Sequence, residues 1–249
     1  MTRSRILITG ASAGLGAQMA RDFASMGRDL ALCARRLDAL TELRAELIAK
    51  HPGIEVAVRA LDVDDHAAVP GVFGELRDEL GGIDRVIVNA GIGKGARIGT
   101  GRAEANLATA TTNFVSALAQ VEAAMQIFRE QNAGHLVLIS SMSAVRGLPG
   151  KKAAYSASKA GLATLGEALS VETARTPIAV TTLLPGFIAT DMAARAGDAK
   201  LVAPLDKGVA SMVRAIEKER DRACVPAWPW RLLDIVLPRL PGAVIARIS

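Results

Sequence analysis

The chain has 249 residues, half of them hydrophobic but only 3% aromatic, with 30 basic against 25 acidic side chains and a formal charge of +5. This length suits one α/β domain around one sheet, and a core of Ala, Val, Leu and Ile favours a buried parallel sheet over a sandwich. The charges are interspersed, and one Tyr, five Phe and two Trp offer no stacking platform, so a nucleic-acid partner is not expected.

Cys33 and Cys224 form no disulfide framework and sit in no Cys-x-x-Cys pair. His51, His66 and His135 lack metal-ligand spacing, so no metal is expected. The first apolar run, Ile6-Leu7-Ile8, is too short for a signal peptide, and no stretch reaches the ~18 apolar residues of a spanning helix. The expected location is cytoplasmic.

In chain order, short apolar runs predict strands near Ile6–Thr9, Leu30–Ala34, Val56–Leu61, Val86–Asn89, Leu136–Ser140 and Val180–Leu184, with a short seventh at Ala223–Val225. Between them, apolar residues at three- and four-residue spacing predict helices over Gly14–Ser25, Asp38–Lys50, Ala67–Leu80, Arg102–Glu130 and Lys152–Ala174. The alternation predicts a Rossmann-type doubly wound parallel sheet of six to seven strands, flanked by helices, in a single domain over residues 1–249. Ligands of such sheets bind at the carboxyl ends of the strands, where the strand order reverses.

The first strand runs into Thr9-Gly10-Ala11-Ser12-Ala13-Gly14-Leu15-Gly16. Glycines at this strand-to-helix turn allow a tight bend, backbone approach to a pyrophosphate and close helix packing, and the helix N-terminus offers free N–H groups. At the end of the second strand a ribose-binding Asp or Glu is replaced by Cys33-Ala34-Arg35-Arg36. Two guanidiniums suit a 2′-phosphate, which favours NADP(H) over NAD. Asp62 and Val63 after the third strand could face an adenine, and Asn89-Ala90-Gly91 after the fourth brings small residues to where a cofactor passes.

Ser140-Ser141 ends the fifth strand, and fourteen residues after Ser141 begins Tyr155-Ser156-Ala157-Ser158-Lys159. Tyr155 and Lys159 lie one helical turn apart, and an ammonium near a phenol lowers its ordinary pKa of about 10, which makes the pair a candidate acid/base unit. Tyr155 is the only tyrosine in the chain.

Thr-Gly-x-x-x-Gly-x-Gly at 9–16, Asn-Ala-Gly at 89–91, Ser141, Tyr-x-x-x-Lys at 155–159 and Pro185-Gly186, in this order, resemble the short-chain dehydrogenase/reductase family from about residue 5 to 192. The resemblance implies an oxidoreductase that moves a hydride between NADP(H) and a carbonyl or alcohol, working as a homodimer or homotetramer. It also implies Tyr155 as general acid or base, Ser141 on the substrate oxygen, Lys159 lowering the Tyr155 pKa and holding the nicotinamide ribose, and Asn113 supporting a water relay to the lysine. Ser12, Ala13, Leu15, Pro185, Gly186, Ile188 and Thr190 are then cofactor contacts. Two departures are Val88, where the family has a second Asn, and a Ser-to-Tyr interval one residue longer than usual, which leaves Ser143 as a weaker candidate for Ser141.

Residues of about 187–205, including Met192, Arg195, Gly197 and Asp198, are expected to form a substrate lid. The tail of about 226–249, with Trp228, Trp230 and interspersed Arg, is expected to pack over the substrate pocket or a subunit interface, or to rest on a membrane surface, and points to a lipophilic substrate. The alternatives are a non-catalytic NADP(H)-binding or redox-sensing module, and an epimerase or dehydratase on a nucleotide-linked sugar, whose chains are usually longer.

Overall fold

A computed structural model describes residues 3–190 and 201–248. Short runs of Val, Ile, Leu and Ala form seven strands: β1 (Arg5–Thr9), β2 (Asp29–Ala34), β3 (Val56–Ala60), β4 (Arg85–Val88), β5 (Gly134–Ile139), β6 (Ile178–Pro185) and β7 (Arg222–Val225). All pair in parallel, in the order β3-β2-β1-β4-β5-β6-β7. Parallel neighbours need crossovers, and these are α1 (Gly14–Ser25), α2 (Leu37–Lys50), α3 (Ala68–Glu79), α4 (Ala103–Ala110), α5 (Ser116–Gln131), α6 (Ala153–Thr173) and α7 (Leu205–Glu217). Two short helices follow β7, α8 (Trp230–Val236) and α9 (Gly242–Ile248).

Alternate residues of β1 feed opposite faces of the sheet, as the period of two requires. Ile6 and Ile8 pack with Met19, Phe23, Leu40 and Ile216 on one face, whereas Leu7 packs with Phe73, Val121 and Phe128 on the other. With both faces covered, the strands are apolar almost throughout, and the strand order reverses between β1 and β4, opening a crevice at their carboxyl ends.

The seven predicted strands are all present, but the helix predicted over Arg102–Glu130 is not continuous. It divides into α4, a π-helical turn at Thr111–Val115 and α5. Side chains of this turn and of the first residue of α5 bond outside the helix: Thr112 Oγ1 and Ser116 Oγ donate to Asp64 at 2.8 and 2.6 Å, and Asn113 pairs with Ile92. Side-chain bonds that pull on one turn are what such a bulge accommodates. Helix α7, which the sequence pattern did not single out, buries Val209, Met212, Val213 and Ile216 at helical spacing.

At the amino end of the sheet lies a buried polar network. Arg85, fully buried on β4, donates from Nε to His135 Nδ1 at 2.8 Å, pairs with Glu217 and lies over the Phe23 ring. Since Nδ1 accepts, the His135 proton sits on Nε2, which bonds Thr181 Oγ1 at 2.8 Å. Burial, and then the charges of Arg85 and Arg3, hold the imidazole pKa well below its ordinary value. His135 is therefore neutral when folded but takes up a proton below about pH 6.5 when unfolded, so stability falls as the pH drops through that value.

The melting temperature is accordingly expected to decrease between pH 7 and 5, above the range in which Glu46, held at about 2 by Arg21 and Lys50, loses its charge. A His135→Asn variant should be less stable at pH 7.5 yet nearly flat across that window. A thermal scan series in which parent and variant have the same slope would refute this account.

Candidate active site

The turn between β1 and α1 is built against the end of β4. Gly10 has φ +64°, and a Cβ there would stand 2.9 Å from Ala90 Cα, while one on Gly16 would lie 2.5 Å from Gly10 O and 2.8 Å from Asn89 Nδ2. Asn89 Nδ2 donates to Thr9 O at 2.8 Å, and Thr9 Oγ1 accepts from Asn89 N and Ala90 N at 3.0 and 3.1 Å. Gly14 has φ +56° and faces Thr190, and Ala13 is exposed with no side-chain cap on α1. The first turn of α1 also lacks acidic residues, so its N–H groups and positive potential are free to meet a phosphate.

Beside this cradle, past β2 and β3, a cleft of about 390 Å³ is lined by Arg35, Ala60, Leu61, Asp62, Asp65 and Ala68. Arg36 folds toward the cradle, donating from Nη2 to Ser12 O and Ser12 Oγ at 3.2 Å each. Val63 is buried beneath. A crevice with a free helix terminus at one end and guanidiniums with a carboxylate at the other fits a dinucleotide.

Across the sheet, Ser141 caps a short 3₁₀ turn, Met142–Ala144, and its Oγ accepts from Ser143 N at 3.1 Å. The Ser141 hydroxyl acts on the Tyr155 phenol, whose pKa it lowers. Ser143 meets Ser141 through its backbone N–H. Burial raises the Tyr155 pKa above its ordinary value of 10, and the Ser141 hydrogen bond pulls against the rise. Lys159 does not contribute to this shift. Lys159 Nζ turns instead to Ile139 O at 2.8 Å, and burial brings its own pKa down to about 8.

Asn113 lies against the segment that follows β4. Its Oδ1 accepts from Ile92 N at 2.8 Å and its Nδ2 donates to Ile92 O at 2.9 Å, so the amide clamps the backbone after Gly91. A Cβ on Gly91 would lie 3.0 Å from Asn113 Oδ1 and 3.4 Å from Lys159 Nζ, which places Asn113, Gly91 and Lys159 together. Pro185 ends β6 and Gly186 and Ile188 follow it, with Gly186 covered so closely by Trp230 that a Cβ would enter its ring. Trp230 meets Phe187 edge-on, with centroids 5.6 Å apart, and packs with Met142 and Leu184.

Sequence reasoning missed Thr9 and Asp64 as ties between segments, although Thr9 opens the glycine motif. It also missed Ser140, whose Oγ donates to Lys159 O at 2.7 Å. The proposed lid residues Met192, Arg195, Gly197 and Asp198 lie outside the described residues. No group of metal-ligating side chains occurs among the described residues, and no helix among them is long and apolar enough to cross a membrane.

The strand order and the cradle at the switch point are those of a dinucleotide-binding Rossmann-type fold. The short chain dehydrogenase family model matches residues 4–201, and the chain belongs to the short-chain dehydrogenase/reductase family. It is 58% identical over 244 residues to an uncharacterised oxidoreductase of Mycobacterium tuberculosis, covering 96% of each chain. It is 32% identical over 188 residues to an NADP-dependent 3-hydroxy acid dehydrogenase of Schizosaccharomyces pombe, covering 75% of this chain and 72% of that one. A short-chain dehydrogenase/reductase from Burkholderia phymatum, solved in complex with NAD, has the same fold at a TM-score of 0.85 and 22% identity, covering 100% of this chain and 97% of that one.

The packing of the cradle is directly testable. Gly16→Ala forces the Cβ against two backbone-anchored atoms and should lower stability by about 1–3 kcal/mol in urea unfolding. Gly71→Ala, in α3 with nothing within 4 Å of the added carbon, should raise it by up to about 1 kcal/mol. Equal stabilities for the two variants would contradict the close approach of β1 and β4.

Proposed function

We propose that this chain is an NADP(H)-dependent carbonyl reductase or alcohol dehydrogenase with a lipophilic substrate. The observation that carries the reading is the placement of Tyr155 one helical turn from a buried Lys159, whose Nζ reaches Ile139 O at the carboxyl end of β5, where Ser141 is also buried. A bound nicotinamide supplies the hydride in reduction and accepts it in oxidation. The residues named in the family motif carry the rest.

In reduction, Tyr155 donates its proton to the carbonyl oxygen while Ser141 donates a hydrogen bond to that same oxygen. A raised phenol pKa keeps Tyr155 protonated at neutral pH, which suits an acid. Lys159, which bonds the Ile139 carbonyl, would hold the ribose hydroxyls of a bound cofactor. Asn113 is a positioning residue that fixes Ile92 and Gly91 against the lysine. Arg35 in its cleft and Arg36 beside Ser12 would hold the 2′-phosphate, a reading that the NADP-dependent yeast relative supports. Trp230, Phe187 and Met142 form an apolar wall near the reacting oxygen, which favours ketosteroids, retinoids or acyl substrates over small polar ketones.

Consumption of NADPH against such a panel tests the reaction and selects the substrate. Tyr155→Phe should retain NADPH affinity and lose turnover by at least about 100-fold, the contribution of a positioned acid; full turnover in this variant would sink the mechanism. Reduction should slow as pH rises through about 8, where Lys159 loses its charge, and Lys159→Arg should move that limb upward in a pH profile of kcat/KM. An Arg35→Ala, Arg36→Ala variant should lose the preference for NADPH over NADH in direct binding. An unchanged preference would refute the 2′-phosphate site.

A further inference from the structure

Thirteen large hydrophobic side chains are exposed among the described residues, and seven of them lie on just two segments, Leu201-Val202 and residues 228–244. These segments meet at one end of the molecule. Backbone bonds pair Ala203 with Phe187 and Ala189, and Phe187 packs on Trp230. Helix α8 consequently has two apolar faces. Trp230 and Leu233 point inward to Phe187 and Met142, whereas Leu232 and Ile235 are 51% and 55% exposed and the preceding Trp228 is 77% exposed.

Within residues 226–248 the exposed charges are of one sign. Arg231, Arg239 and Arg247 are exposed, and the only acid in 226–248 is Asp234, whose side chain is 17% exposed and paired with Arg222 at 2.6 Å. Arg239 also donates to Ile235 O, holding its guanidinium beside the apolar side chains. A Trp, aliphatic side chains and unopposed arginines on one short helical segment match the chemistry of an anionic lipid interface. A second copy of this chain fits less well, because a twofold contact through the patch would set arginines against arginines.

We propose that α8 and its flanks dock this protein on an anionic membrane surface, with Trp228, Leu232 and Ile235 in the interface and Arg231, Arg239 and Arg247 at the headgroups. The inner face of the same helix forms the apolar wall of the reaction site, so docking would bring that site to carbonyl compounds dissolved in the bilayer. The substrate half of this inference rests on the proposed reductase activity; the docking half does not.

Sedimentation of the full chain with phosphatidylcholine vesicles, with and without phosphatidylglycerol, reads docking without cofactor or substrate. Partition onto the phosphatidylglycerol vesicles is expected, and it should weaken as salt rises. Leu232→Ser with Ile235→Ser should reduce partition at least about tenfold, and Arg231→Ala and Arg239→Ala about fivefold each, with melting temperatures close to the parent's. No partition, equal partition onto phosphatidylcholine alone, or variants that bind like the parent would overturn the proposal. So would loss of self-association in the variants without vesicle binding by the parent, which would assign the patch to a second copy. Vesicle binding by a chain that reduces no carbonyl would uphold docking and refute the Tyr155 mechanism instead.

Discussion

The seam between β1 and β4 is the constraint on which the site depends. Thr9 is fully buried, and its hydroxyl accepts the backbone N–H groups of Asn89 and Ala90 while the Asn89 amide returns a bond to Thr9 O. These bonds satisfy polar groups exactly where the two strands stop pairing and their crossovers part to opposite faces of the sheet. Because backbone and amide atoms fill that space, only glycine fits at 10 and 16, and the first turn of α1 is brought over the crevice with its N–H groups free.

Buried ionisable groups occupy both ends of this sheet, with different consequences. At the amino end Arg85, His135, Thr181 and Glu217 satisfy one another, so the network holds the termini of β4, β5 and β6 to α7. At the carboxyl end the buried Lys159 ammonium has a backbone carbonyl and no carboxylate among the described residues. Desolvation without a compensating countercharge moves a lysine pKa toward neutrality and leaves its donors available to a ligand. The same burial thus produces a rigid anchor below and a chemically responsive group above.

The end of the chain joins the reaction site to the outer surface. Trp230 covers Gly186 and Phe187 just beyond β6, while α8 carries its remaining apolar residues into solvent. A seven-residue helix is too short to hold itself together by backbone bonds alone, so it owes its place to the Trp230 cluster, to the Arg222–Asp234 pair and to the contact of Arg146 with Leu240 O.

The sequence by itself determined the seven strands, their order along the chain and the family, because buried parallel strands are continuous apolar runs and because the glycine turn and Tyr-x-x-x-Lys are local patterns. It also determined which residue types stand at the strand ends. What those residues touch follows from the fold: Asn113 clamps Ile92 and breaks a helix whose propensity is continuous, the Ser141 hydroxyl acts on the Tyr155 phenol, and Lys159 points to Ile139. Each of these depends on partners 14 or more residues distant, through desolvation and hydrogen-bond competition that periodicity does not encode. The tail shows the same division, since its apolar and basic composition is local, whereas the assignment of Trp230 inward and Leu232 outward follows from where β6 ends.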